Sequence, residues 1–393
     1  MKKFIIFLAV CVIGMFNIQP SIVVHAEDKS DLEEKLTNSV LEQINNLDFG
    51  DLDYYLNQIQ TDFDFTSANS FSEVIKEISK GNYFSDYNNV FDAVINLIFG
   101  NIKNILPLMF LIIAIAVLGS ILNSLKSTNI SGGVNDLIHF ICFGVVILIL
   151  VGSITKIISI TGNVLNTMSG QMEIIFPIML TLLTAIGGVS SAGIYKPVVA
   201  VLTQGVSFIF SKILFPIFIL SFVFLVVGNL SKNVKLNRFN EFLSSVFKWV
   251  VGFVFTMFGA FLTIQGISAG KFDGISIKAT KFAVKSYIPL IGGYISDGFD
   301  LILYSSVIIK NAVGVVGLFL IFASILGPII QILMFKLGLQ LVSAILEPVG
   351  DGRIGNFTSG CSKILVYPIV LILAVSFMYL LSVGLIMTTA NIL

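Results

Sequence analysis

The chain has 393 residues, 56% of them hydrophobic and 12% charged, with a formal net charge of zero. A mean hydropathy of +0.96 is more apolar surface than a water-soluble domain of this length can bury, so the composition excludes an ordinary soluble enzyme and points to a membrane protein. The zero conceals a split: Glu27 to Asp92 carries 15 acidic and 4 basic residues, net −11, and the chain beyond Asp92 carries 17 basic and 8 acidic, net +9.

The first 26 residues have the form of a secretory signal. Lys2 and Lys3 precede the apolar stretch Phe4 to Phe16, and Val24-His25-Ala26 supplies small residues at the cleavage positions, so cleavage is predicted between Ala26 and Glu27. An uncleaved signal anchor is the alternative; both place residues 27–88 outside the cytoplasm. Cys11 leaves with the signal, and Cys142 and Cys361 lie in or beside apolar runs, so the exported segment has no thiol to pair. Its order must come from helices. Ser30 and Glu33 form a capping box before the stripe Leu36, Val40, Ile44 and Leu47; a short helix is predicted over Leu52 to Ile59; Ser70 and Glu73 form a second box before Val74, Ile75 and Ile78. So narrow an apolar stripe buries little alone, so this acidic helical segment is expected to dock on a partner or on the membrane domain.

Residues 89–393 read as a multi-span membrane domain. The best-defined run, Ile105 to Leu122, is followed by Leu137–Ile154, Ile174–Ile194, Val198–Ser211, Ile213–Leu230, Trp249–Ser268, Ile288–Ile309, Ala312–Phe335 and Ile364–Thr389. Several are short or glycine-rich, and about eight spans are expected at roughly 20 residues per crossing. The fold class is therefore an all-α polytopic bundle. Pro177, Pro216 and Pro368 each sit early in an apolar run, which fits helix-start chemistry, or a duplicated architecture with broken helices. Gly252, Gly259 and Gly266 recur every seven residues and predict a helix-packing seam. The crowded glycines and serines from Gly187 to Gly193 are expected to unwind the end of their run. Two basic connectors, with interfacial helices expected near 231–248 and 271–287, flank the Trp249 run. A single crossing between them puts one on the outside, against the usual positive-inside bias. Anionic headgroups explain both better than nucleic acid does.

Chemistry is sparse. His139 is the one histidine after the signal, no cysteine pair has metal-ligand spacing, and no phosphate-binding glycine motif is present, so neither an enzyme nor a cofactor is expected. Gly266-Ile-Ser268-Ala-Gly270 matches a nucleophile elbow in letters, but it ends an apolar helical run and no histidine follows it. Asp297 and Asp300 are more informative, being two carboxylates on one helical face inside an apolar run, with Lys310 or Lys336 as counter-ions. Buried charges are costly in lipid, so the pair either lines a polar interior or intersubunit contact, or marks the interface where the span at Leu301 begins. A stand-alone secondary transporter using these carboxylates is the rival reading.

The order of features carries a resemblance. A signal peptide precedes the acidic segment with Leu47-Asp-Phe-Gly-Asp-Leu-Asp-Tyr-Tyr-Leu-Asn-Gln-Ile59 and Phe71-Ser-Glu-Val-Ile-Lys-Glu-Ile-Ser-Lys-Gly81. Spans follow that include Pro289-Leu-Ile-Gly-Gly-Tyr-Ile-Ser-Asp297 and Ile309-Lys-Asn-Ala-Val-Gly314. Over essentially its whole length the chain resembles the stage III sporulation protein AE family of endospore-forming Firmicutes. The resemblance implies a multi-pass subunit in the mother-cell membrane around the forespore, in a secretion-like channel complex needed for late forespore gene expression. It implies membrane and ring-forming proteins of that complex as partners, alongside the lipid bilayer, and carries over no catalytic residue.

Overall fold

A computed structural model describes residues 29–47, 49–60, 70–79, 87–124, 132–230, 236–269, 292–349 and 352–389. Ala26, Glu27 and the 271–287 stretch lie outside them.

The acidic segment forms three helices, α1 (Lys29–Asn45), α2 (Gly50–Gln60) and α3 (Phe71–Ser79). The second capping box forms: the Glu73 amide donates to Ser70 Oγ at 3.3 Å, and Asp53 of α2 accepts from the Phe71 amide at 2.6 Å. The first box does not sit at a helix start, because α1 already takes in Lys29. The stripe of α3 (Phe71, Val74, Ile75 and Ile78) is buried, with the Phe71 ring 5.4 Å from that of Phe49. At about 1.5–3 kcal/mol per buried side chain, that stripe outweighs the weak intrinsic stability of a helix this short.

The remaining helices are α4 (Tyr87–Ser124), α5 (Gly132–Ala185), α6 (Val189–Ala200), α7 (Phe215–Leu230), α8 (Asn237–Ala269), α9 (Gly292–Val349), α10 (Gly352–Ile364) and α11 (Val366–Thr388). Two π-helical segments, Val201–Val206 and Ile209–Leu214, join α6 to α7. Among the described residues there is no strand, and six helical stretches are long and apolar enough to cross a membrane. The sequence shows nine apolar runs, read as about eight spans, and joining three pairs of them leaves six. Three pairs of runs are each carried by continuous helix: within α5, from the π segments into α7, and within α9. Polar residues between two runs are no helix breakers, so hydropathy divides what the backbone keeps whole. Likewise, helix covers the 237–248 stretch and the Trp249 run without a break.

The length of α5 and α9 is the distinctive feature. With 54 and 58 residues they extend about 81 and 87 Å, against roughly 30 Å of hydrocarbon. They run antiparallel: Gln171 donates to Ser324 Oγ at 2.8 Å, and a Cβ on Gly317 would meet Ile175 at 3.1 Å. Helix α11, apolar on every side, fills the middle, with Leu371, Ile372, Val375, Met378 and Val383 buried. In the most apolar window of the α10–α11 stretch 67% of residues are buried and in that of α9 50%, against 17–33% elsewhere, so these helices form the core and the others surround it.

Breaks fall where backbone chemistry permits them. After α5 the chain turns at Gly187, whose φ of 81° is left-handed. The Gly187 amide donates to the Thr184 carbonyl and that of Gly188 to Leu183, both at 2.9 Å, a double cap over the last carbonyls. Gly187 and Gly188 therefore cap α5, whereas Ser190, Ser191 and Gly193, expected to unwind the run, already belong to α6. Pro368 lies in the first turn of α11, as helix-start chemistry requires, but Pro216 lies within the continuous helix that runs from the π segments into α7, and Pro177 lies deep inside α5.

Candidate functional site at the polar end of the bundle

Charged and polar side chains converge at one end, where α1–α3 dock on the outer halves of α5 and α9. From α1, Gln43 Nε2 donates to Ser305 Oγ at 2.6 Å, and Gln43 Oε1 accepts from Ser306 Oγ at 2.8 Å. Ser39 Oγ lies 3.1 Å from Ser305 Oγ. One amide thus clips α1 to α9 through both its donor and its acceptor. From α2, the Tyr55 hydroxyl packs on the bare Cα of Gly170, beside Glu173 of α5. Burial and the neighbouring negative charges push the Tyr55 phenol above its usual pKa. Apolar contacts carry most of the docking energy; the clip fixes its register.

One turn further along α9, Lys310 is fully buried and its ammonium donates to the Thr389 carbonyl at 2.5 Å. Thr389 is the cap residue just past α11, and the cation therefore sits close to the helix C-terminus, the negative pole of its dipole. Thr389 Oγ1 pairs at 2.9 Å with the Tyr195 hydroxyl of α6, so three helices meet at one residue.

Beside this junction, a groove of about 600 Å³ separates α5 from α6 and the first π segment. Exposed Glu173 lines one wall and exposed Lys196 the other, with Thr181, Thr184 and Gln204 between them. A π turn widens the helix and occurs often at functional sites, and one forms this groove's lower wall at Thr203 and Gln204.

The residues singled out by sequence are not gathered together. Asp300 is half-buried on α9, ten residues and about 15 Å of helix from Lys310. The side chain of Asp297 lies outside the described residues, as does that of His139. Lys336 is a further 26 residues along α9, where its carbonyl accepts a bond from Ser362 at 3.1 Å. Among the described residues no atom lies within 4 Å of a Cβ built on Gly252 or Gly259, so none of them packs on that part of the seam; the surroundings of Gly266 are not among those described. Ser268 lies on α8, not on a strand-to-helix turn. Among the described residues no three His, Cys, Asp or Glu side chains are placed to hold a metal ion. Sequence reasoning missed the Gln43 clip, the Tyr195–Thr389 pair and the Glu173–Lys196 groove. The signals were there, in Ser305-Ser306 and two isolated charges at the ends of an apolar run, but the Gln43 pairing spans up to 263 residues of chain.

A family model described as stage III sporulation protein AE matches residues 69–390. The stage III sporulation protein AE of Bacillus subtilis (strain 168) is 24% identical over 368 residues, covering 94% of this chain and 90% of the relative. No solved structure matches. With the match extending from α3 through the whole membrane bundle to the end of α11, the chain belongs to the stage III sporulation protein AE family.

Proposed function

We propose that the protein is a structural or conduit subunit of a trans-envelope sporulation complex, placed in the mother-cell membrane facing the forespore and needed for late forespore gene expression. The observation that carries this reading is the family match over residues 69–390. The geometry supports a scaffold: α5 and α9 are more than twice the length a bilayer needs, and the docked α1–α3 turn their outer halves into a composite surface.

Orientation follows from the same contacts. The α4–α5, α7–α8 and α9–α10 junctions lie at one end of the bundle; the α5–α6 turn and the end of α11 lie at the other, with α1–α3. Export of the acidic segment puts this second end outside the cytoplasm, and six crossings then return both ends of the chain to that side.

Affinity purification from sporulating cells tests the proposal. Recovery with ring-forming and membrane proteins of the stage III set is expected. A chain that purifies alone and drives ion-dependent uptake in vesicles would instead be a transporter, a reading for which no arrangement around Asp300 gives specific support.

A further inference from the structure

The groove between α5 and α6 has the chemistry of a headgroup site. We propose that it binds a zwitterionic aminophospholipid, with the lipid phosphate on Lys196 and its primary ammonium on Glu173. The inference rests on the membrane bundle and is independent of any role in sporulation.

Three observations converge. First, the two charges stand on opposite walls of one cavity, Glu173 on α5 and Lys196 on α6, both exposed, with threonine hydroxyls and an amide between them. A ligand carrying one charge of each sign satisfies both; a purely anionic one leaves Glu173 facing like charge. Second, the groove lies at a boundary. Helix α2, with Asp51, Asp53 and exposed Tyr54, is too polar for hydrocarbon, yet its Tyr55 packs at Gly170 beside Glu173. Glu173 is therefore at headgroup depth. Third, an apolar path leads away from the groove in the other direction. Val201, Phe208, Ile213, Leu220, Val223 and Val227, all exposed, continue down the π segments and α7 from the groove's lower edge. Acyl chains attached to a headgroup in the groove would lie along that stripe. The stripe runs from Val201 to Val227, at about 1.5 Å per residue enough to cross a hydrocarbon core.

The test uses the full-length protein in nanodiscs of equal phosphatidylethanolamine, phosphatidylcholine and phosphatidylglycerol, with the lipid retained on release measured by native mass spectrometry. Enrichment of the ethanolamine lipid over choline by about fivefold is expected, since a trimethylammonium group cannot donate the charge-assisted hydrogen bond to Glu173. Glu173→Gln should remove that preference, and Lys196→Gln should lower retention of every phospholipid at the site. Both side chains are exposed, so neither change opens a cavity, and Lys103→Gln, far down α4, should change nothing. Equal retention of ethanolamine and choline lipids, preference for phosphatidylglycerol, or wild-type retention by Glu173→Gln would each overturn the proposal. So would a photo-crosslinker at Thr184 that captures a protein in place of lipid, because the groove would then be a protein interface.

Discussion

The Lys310–Thr389 contact offers the sharpest test of what holds the polar end together. Replacing Lys310 by Met keeps the length of the side chain and removes its charge and donors. A hydrogen bond from a charged group contributes about 1.5–3 kcal/mol, and an ammonium at a partly buried helix C-terminus up to about 2 kcal/mol more. Against this, Met lifts the cost of keeping an ammonium out of water, which takes back a large part of the gain. The carbonyl of Thr389 is also left at a buried helix end without its donor. The expected net loss for Lys310→Met is about 1–2 kcal/mol. Lys310→Ala adds a cavity and should lose about 2–5 kcal/mol. With the half-buried Cys142 replaced by Ser throughout, the buried Cys361 is a native reporter, because a thiol-reactive fluorogenic dye then gains its signal on unfolding. Heating the detergent-solubilised protein with such a dye should give a midpoint for Lys310→Met lower by about 2–4 °C. Tyr195→Phe, which breaks the adjoining bond to Thr389, should couple to it by about 0.5–1 kcal/mol in a double-mutant cycle. A Lys310→Met protein as stable as the parent, or more so, would refute the reasoning, since desolvation would then outweigh the contact.

The other predictions concern separate parts of the molecule. Gly314→Ala places a methyl group against Met387 and Met179 in the core and should cost about 1–3 kcal/mol in the same dye assay. Gly259→Leu meets none of the described residues and should leave that midpoint unchanged; if α8 packs on another subunit there, co-purification is lost, and normal assembly would mean the seam faces lipid. Gln43→Ala removes both halves of the clip and should speed proteolysis of α1–α3 without altering membrane insertion; unchanged protection would show that apolar packing alone sets the register. Asp297→Asn with Asp300→Asn should spare insertion and impair spore formation if the pair is buried in the assembly, whereas a silent double variant places it at the interface. Intact mass of the extracted protein should correspond to a chain starting at Glu27; a mass starting at Met1 means a retained anchor.

Sequence alone determines the solvent each part of this chain requires. Uninterrupted apolar runs can satisfy their backbone in lipid only as helices, so the all-α membrane bundle is legible from composition. The buried stripe of α3 and its Ser70 cap follow from local periodicity, because their partners lie within a few residues. The order of soft motifs likewise suffices for the family. Tertiary structure decides what depends on distant pairing. Nothing near Lys310 in sequence announces that its partner is the carbonyl of Thr389, the cap residue after α11, and the seven-residue repeat of Gly252 and Gly259 states that a helix can approach, not that one does. Hydropathy marks apolar windows of membrane length; whether two of them are one helix depends on the polar turn between, which in α5 and α9 finds partners on neighbouring helices and stays helical. The groove has the same origin: Glu173 and Lys196 face each other only because the left-handed Gly187 reverses the chain and lays α6 back along α5.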